Sequence, residues 1–339
     1  VSEPITDRTP RDDGFTMPAE WAPHQATLMA WPTHTRRDLW SDLFDAAQRE
    51  YAAVANAIAA FEPVVMVVDE DQVTEARGLL GQSVELLALP IDDSWVRDNG
   101  PIFVTNGKGA MAAVDFRFNG WGGRYEPFDK DDRLPAALAD HFGVPVYRAP
   151  LVLEGGAISV DGLGTLITTE SCLLNPNRNP EHVRAEIDRF LLDYLGAEVV
   201  IWLPNGWSKT RDTDGHVDGI ALFTGPGSVL LLAPMDEGDP DHLDAAVNRE
   251  IIGATPDASG GAIEVIGLDP GTEVEIPYAN IYLANGAAIV PIADTPEDAV
   301  VRAQVAAALP GREIVPVPAN VLHEGGGGPH CITQQVPTV

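Results

Sequence analysis

Along the chain, hydrophobic positions alternate between a helical and a strand period, and they do so in a repeating order. Residues 41–61 place Phe44, Ala47, Tyr51, Val54, Ile58 and Phe61 at spacings of three and four, which predicts an amphipathic helix. It leads into the apolar run Val64–Val68, the pattern of a buried strand. A hairpin is predicted next, from residues 102–104 through Thr105-Asn106-Gly107-Lys108-Gly109 into 110–116, followed by a helix near 132–142 and a strand near 146–147. The second unit runs 157–160, Asp161-Gly162, 165–168, helix 181–195 and strand 199–203; Asp-Gly between apolar runs is a strong hairpin signal. The third runs 219–223, Gly225-Pro226-Gly227, 229–232, helix 240–252 and strand 263–266. The fourth runs 281–283, Asn285-Gly286, 288–292, helix 296–309 and strand 313–317. A fifth hairpin is assembled only by pairing 331–336 with 26–31, which assigns helix 41–61 to it and closes a ring between the two ends of the sequence.

Self-similarity at a spacing of about 50–60 residues marks a radial or solenoidal architecture. Joining first and last strands is how a propeller removes an exposed edge. The expected fold is therefore α/β: one domain over residues 1–339, a five-bladed pseudo-symmetric propeller, with 1–15 as a surface arm. Two ordinary α/β domains are the alternative, and segment 69–91, a helix and a strand, fits no blade of the repeat.

Composition narrows the function. Lys+Arg number 21 against 51 Asp+Glu, a formal charge of −30, which argues against a nucleic-acid binder. Hydrophobic residues make up 45% of the chain, enough for a large core. The longest apolar runs fall far short of the ~18 residues that span a bilayer, and no secretion signal opens the sequence. With only Cys172 and Cys331 there is no disulfide framework. A soluble cytoplasmic setting without a membrane partner is the expectation, and the sequence leaves a homo-oligomer open.

Costly polar residues stand at the entry to each hairpin. Trp95-Val96-Arg97-Asp98-Asn99-Gly100-Pro101 precedes the first and Glu154-Gly155-Gly156 the second. Thr213-Asp214-Gly215-His216-Val217-Asp218 precedes the third, Pro277-Tyr278-Ala279-Asn280 the fourth, and His323 through Cys331 the fifth. If the blades share an axis, Asp98, Glu154, His216, Asp218 and Cys331 converge near it. On a strand, residues two apart face one way, so His216 and Asp218 are expected to meet one ligand. Four glycines and a proline before Cys331 would let backbone approach a ligand closely. Cys172 reads as a buried structural thiol, Trp121 and Trp207 as core residues, and Trp95 as a flank for a substrate chain. Zinc ligands are available in His216, His323, His330 and Cys331, yet no spacing of a zinc site is present, so neither metal nor other cofactor is expected.

Carboxylates with an imidazole and a thiol suggest a specific chemistry. Asp98 and Asp218 could each take a pair of N–H groups from a planar guanidinium, the fork that carboxylates match best. Cys331 would attack the guanidinium carbon, its thiolate favoured by the bound cation and His216. His216 would protonate the departing ammonia and then deprotonate water, with Glu154 orienting the imidazole. A small cationic guanidino compound is thus the expected partner. Deimination of free or peptide arginine, amidino transfer to an amine, and a non-catalytic polyamine pocket are the competing readings.

At these same residues the chain resembles the agmatine deiminase family. The resemblance rests on Met17-Pro18-Ala19-Glu20-Trp21, Trp95 to Pro101, Glu154-Gly155-Gly156, Cys172-Leu173-Leu174-Asn175-Pro176-Asn177-Arg178-Asn179-Pro180, Gly215-His216-Val217-Asp218 and His330-Cys331-Ile332-Thr333-Gln334-Gln335. It implies a five-bladed α/β-propeller of the guanidine-modifying superfamily, and hydrolysis of agmatine to N-carbamoylputrescine and ammonia. It also implies Cys331 as nucleophile, His216 as acid and base, Asp98 and Asp218 as guanidinium ligands, and Glu154 as their partner. The sequence departs from the family pattern at Arg211-Asp212, at 277–282 and at Gly328-Pro329. Those departures fall where the far end of the substrate would be read, with Trp95, Asp212 and Asn280 the candidate contacts. An arginine at 211 would tolerate a carboxylate on a different guanidino substrate.

Overall fold

The computed structural model describes residues 3–210, 212–272 and 276–339. Five sheets form among them, and each is built by one turn of the sequence repeat. Strands β1 (His24–Ala30), β2 (Val64–Val68) and β3 (Val84–Ala88) join the last strand of the chain in one sheet; β4 (Ile102–Thr105), β5 (Met111–Arg117) and β6 (Val146–Val152) form the next. The third holds β7 (Ile158–Val160), β8 (Thr165–Thr169) and β9 (Val199–Leu203); the fourth holds β10 (Ala221–Gly225), β11 (Ser228–Leu232) and β12 (Glu264–Leu268). The fifth holds β13 (Tyr282–Ala284), β14 (Ala287–Ile292) and β15 (Glu313–Pro318). In the last four sheets an antiparallel hairpin is followed by a helix and then a strand parallel to the hairpin's second member. A parallel neighbour requires a crossover, and a helix supplies it.

The ring closes as the sequence requires, with one refinement of register. Strand β16 (Thr333–Pro337) pairs antiparallel with β1, setting Thr27 opposite Gln335 and Met29 opposite Thr333. Cys331 therefore lies in the turn ahead of the strand rather than within it. Segment 69–91, unplaced in the repeat, forms a helix at Val73–Leu79 and the strand β3, which extends the first sheet as a fourth member parallel to β2. Of the segment expected as a surface arm, Ile5 bridges Tyr147 of the second blade, and Phe15 is buried in the core between the second and third blades.

The central strands carry runs such as Val229-Leu230-Leu231-Leu232 without polar alternation, because a helix covers one face and the neighbouring blades the other. Each such side chain contributes roughly 1.5–3 kcal/mol on burial. The helix predicted at 41–61 spans Phe44–Ile58 and buries Ala47, Tyr51, Val54 and Ile58 completely. The other helices, Leu134–His141, Arg184–Leu195, His242–Ala254 and Glu297–Ala308, lie within a few residues of their expected bounds.

Candidate active site

The residues that open each blade sit in tight turns, not on the strands. Asp98 lies in the helical turn Val96–Asn99; Glu154 precedes the turn Gly155–Ala157; His216 precedes, and Asp218 lies within, the turn Val217–Gly219. Strand alternation therefore does not bring His216 and Asp218 together. A 3₁₀ turn begins directly after His216, and through it both side chains reach the axis.

Gly156 locates their meeting point. A Cβ there would lie 2.6 Å from His216 Nδ1, 2.8 Å from Asp98 Oδ1 and 3.1 Å from Asp218 Oδ2, so only glycine leaves the gap between these three groups open. The Gly156 amide donates to Asp98 Oδ1 at 3.0 Å, and the Trp121 indole N–H donates to Asp98 Oδ2 at 2.9 Å. Trp121, expected in the core, is buried, yet it fixes a carboxylate of the site. The Cys331 thiol donates to Asp218 Oδ2 at 3.3 Å, and Asn280 Nδ2 donates to Cys331 Sγ at 3.1 Å. Asn280 Oδ1 also accepts from the backbone N–H groups of His330 and Cys331, at 2.9 and 3.2 Å. Asn280 thus holds the thiol and its loop. Gly327 packs against Trp95 and Cys331, where a Cβ would lie 2.5 Å from the indole and 3.0 Å from Sγ, which explains the glycines at this point of the loop.

A narrow cleft opens onto the thiol and is lined by Trp95, Asp98, Trp121, Tyr125, Asp212 and Cys331. Trp95 stacks on Trp40 with ring centroids 5.9 Å apart, so this wall is rigid and apolar. Asp212 Oδ2 accepts from the Tyr125 hydroxyl at 3.0 Å. Arg211 lies outside the described residues.

A second layer sets the charges. His330 bridges two acids, with Nδ1 2.9 Å from Asp218 Oδ2 and Nε2 2.8 Å from Glu20 Oε1. Burial alone would push the Asp218 carboxyl up, but His330 outweighs it and holds the group below its ordinary value. Glu154 is likewise lowered despite burial, because Arg178 Nε donates to its Oε1 at 2.6 Å in a completely buried pair. Arg178 also reaches Asp214 Oδ2 at 2.8 Å. Burial pushes Asp98 up, and the Asp218 and Glu154 carboxylates add to the effect; His216, with Nδ1 3.7 Å from Asp98 Oδ1, pulls the other way without overcoming them.

His216 is raised well above an ordinary imidazole: burial opposes the charge, but Asp98, Cys172 and Glu154 overcome it. The Cys331 thiol is pushed well up by burial and by the Asp218 and Asp98 carboxylates. The free site therefore pairs a protonated imidazole with a protonated thiol beside ionised acid, a state that favours arrival of a cation.

The structure thus gathers Asp98, His216, Asp218 and Cys331 at one gap, with Glu154 behind His216 at 3.9 Å from Nε2 and Asn280 beside the sulfur. Among the described residues, the one group of three or more possible metal ligands is Glu154, Cys172 and His216, a different set from the His216, His323, His330 and Cys331 considered from sequence. No role was legible for Glu20, Arg97 or Arg178, and Trp121 read as a core residue only. Three of them lie inside the quoted motifs, but a motif names positions without partners. Arg97 Nη1 reaches Glu20 Oε1 at 3.3 Å, and Asn179 bonds both the N–H and C=O of Val152, fastening its motif to the strand that delivers Glu154.

With this geometry in view, comparison with known proteins is decisive. The profile of the Porphyromonas-type peptidyl-arginine deiminase family matches residues 16–337. The chain belongs to this family. It is 41% identical to the agmatine deiminase of Pseudomonas aeruginosa (strain LESB58), over 97% of this chain and 97% of that protein. It is also 41% identical to the agmatine deiminase of Ectopseudomonas mendocina (strain ymp), with the same coverage of each. The solved agmatine deiminase of Enterococcus faecalis superposes with a TM-score of 0.95 at 35% identity, covering 99% of this chain and 100% of that one. The family match spans every blade and every residue of the gap.

Proposed function

We propose that this protein is a hydrolase that deiminates agmatine to N-carbamoylputrescine and ammonia in a single catalytic domain. One observation carries the reading: Asp98, Asp218 and His216 share the gap at Gly156, with the Cys331 sulfur 3.3 Å from Asp218. The agmatine deiminases to which the chain is similar support the choice of substrate.

The guanidinium enters the gap and is clamped by the two carboxylates, which replace its hydration with fork-like hydrogen bonds. Its positive charge offsets the acids that suppress the thiol, so Cys331 loses its proton to solvent as the cation arrives. The Asn280 N–H stabilises the thiolate that results. Sulfur attacks the central carbon, and the His216 imidazolium protonates one nitrogen, which leaves as ammonia. The neutral imidazole then takes a proton from water; the hydroxide adds to the thiouronium carbon, the C–S bond breaks as the hydroxyl proton passes to the departing sulfur, and the neutral ureido product leaves with Cys331 again a thiol and His216 again an imidazolium. Glu154, kept ionised by Arg178, supports the charge on His216 throughout. The apolar walls at Trp95 and Tyr125 suit a methylene chain, and the Asp212 carboxylate suits a terminal ammonium. The same carboxylate opposes the α-carboxylate of free arginine.

A substrate panel tests the reading. Incubation with agmatine, arginine and a C-terminal-arginine peptide, with ammonia and ureido product assayed, is expected to show turnover of agmatine first. Consumption of arginine with agmatine untouched would assign a different substrate.

A further inference from the structure

Cys172 was expected to be a structural thiol, and it is completely buried, but its position is not that of a simple core residue. It lies in the helical turn Glu170–Leu173, close to the His216 ring. The Sγ of Cys172, a carboxylate oxygen of Glu154 and a ring nitrogen of His216 all lie within 4.8 Å of one another. Two further observations point into this cluster. Glu154 Oε2 and both His216 nitrogens are buried without a hydrogen-bond partner, although buried polar atoms ordinarily have one. The nitrogen facing Glu154 is Nε2, 3.9 Å from Oε2, whereas Nδ1 faces Asp98 across the guanidine gap.

We propose that Glu154 Oε2, Cys172 Sγ and His216 Nε2 form an inhibitory binding site for a thiophilic divalent cation of the zinc type. One sulfur, one imidazole nitrogen and one carboxylate oxygen with a fourth position open is a donor set that suits zinc. Bonds of about 2.0–2.3 Å place tetrahedral ligand atoms roughly 3.5 Å apart, so a modest contraction of the observed cluster is required. Arg178 does not occupy the site, because it bonds Oε1 and is shared with Asp214. The bound metal displaces two protons to solvent, one from the Cys172 thiol and one from Nε2 of the imidazolium, so His216 can no longer serve as an acid.

The site lies on the side of the ring away from the guanidine gap. Inhibition therefore lowers kcat and leaves KM for agmatine unchanged, whereas a metal seated on Cys331 and Asp218 would compete with the substrate. The inhibition rests on the deiminase reading above; metal binding itself does not, and the experiment separates the two.

The Cys331→Ala protein, lacking the other thiol, is titrated with Co²⁺ and then Zn²⁺, with the thiolate-to-cobalt absorption band as the readout. The band is expected in Cys331→Ala, displaced by Zn²⁺, and lost in Cys331→Ala/Cys172→Ser, with Glu154→Gln weakening Co²⁺ binding at least tenfold. No band in Cys331→Ala, or a band that survives Cys172→Ser, overturns the site. Steady-state kinetics of the unmodified protein decide the point should the double variant fail to fold. A Zn²⁺-dependent fall in kcat, reversed by EDTA, supports the site, and a rise in KM alone, or no effect, refutes it.

Discussion

Replacing Asp218 with asparagine should accelerate one reaction of Cys331 while slowing another. The Asp218 carboxylate lies 3.3 Å from the sulfur and disfavours a second negative charge there. At an effective dielectric of about 20, two unit charges at that separation repel by about 5 kcal/mol. With ~1.4 kcal/mol per tenfold, the thiolate population of the free enzyme would rise by about three and a half orders of magnitude in Asp218→Asn. A less basic thiolate is also a weaker nucleophile, with a Brønsted slope of about 0.4–0.5, which leaves a net gain of about 10²-fold in attack on a neutral electrophile. The His330 imidazole, 2.9 Å from Asp218 Oδ2, would keep its other partner in Glu20 and add to the effect. Turnover responds in the opposite direction, since the substrate loses a charge-assisted clamp worth about 3 kcal/mol or more, at least a hundredfold in kcat/KM. The assay compares second-order alkylation by chloroacetamide, which is neutral, with chloroacetamidine, which is cationic. The original protein should prefer the cation strongly and the variant should lose that preference. If alkylation by the neutral reagent slowed in step with turnover, the proposal that the acids suppress the thiol until a cation arrives would be refuted.

Four further outcomes follow from the same contacts. Cys331→Ala should abolish turnover yet bind agmatine within a few-fold of the original protein by calorimetry, and loss of binding would remove the acids from the clamp. Trp121→Phe deletes the 2.9 Å N–H bond to Asp98, worth about 1.5–3 kcal/mol to a charged acceptor, so KM for agmatine should rise roughly tenfold or more with the fold intact by circular dichroism. Arg178→Met leaves Glu154 buried without its cation; a loss of about 3–5 kcal/mol in urea unfolding and a fall in kcat are expected, and an unchanged kcat would separate Glu154 from His216. Burial pushes Glu20 up, but His330 and Arg97 together hold it at about 2, below the unfolded value of 4.5. Its ionised form therefore stabilises the fold above about 4.5, and that contribution, on the order of 3 kcal/mol, is lost as pH falls toward about 2. Glu20→Gln should flatten the pH dependence of the urea midpoint across that window, and an unaltered slope would contradict the pairing.

Much of this molecule was legible in one dimension. The hydrophobic periods, the Asp-Gly and Asn-Gly turns and the spacing of the units give five blades, because four of them are built from strands consecutive in sequence and the closing one is what the two remaining end strands can form. The residues that open the hairpins could be singled out since polar groups at the start of buried strands require a partner. The partners themselves were not legible. Glu20 meets His330 across 310 positions, and Arg97 meets Gln335 across 238, contacts that exist only because the ring closes. Trp121 and Cys172 looked like core from their neighbours, and burial indeed holds both; only the packing of separate blades put an indole N–H on Asp98 and a thiol close to His216. Asn280, expected at the substrate's far end, lies against the sulfur for the same reason. Local pattern encodes which residues must be buried or must turn. The tertiary arrangement alone decides which charges share a low-dielectric space, and it is that proximity that shifts a thiol, an imidazole and three acids into states suited to a cationic ligand.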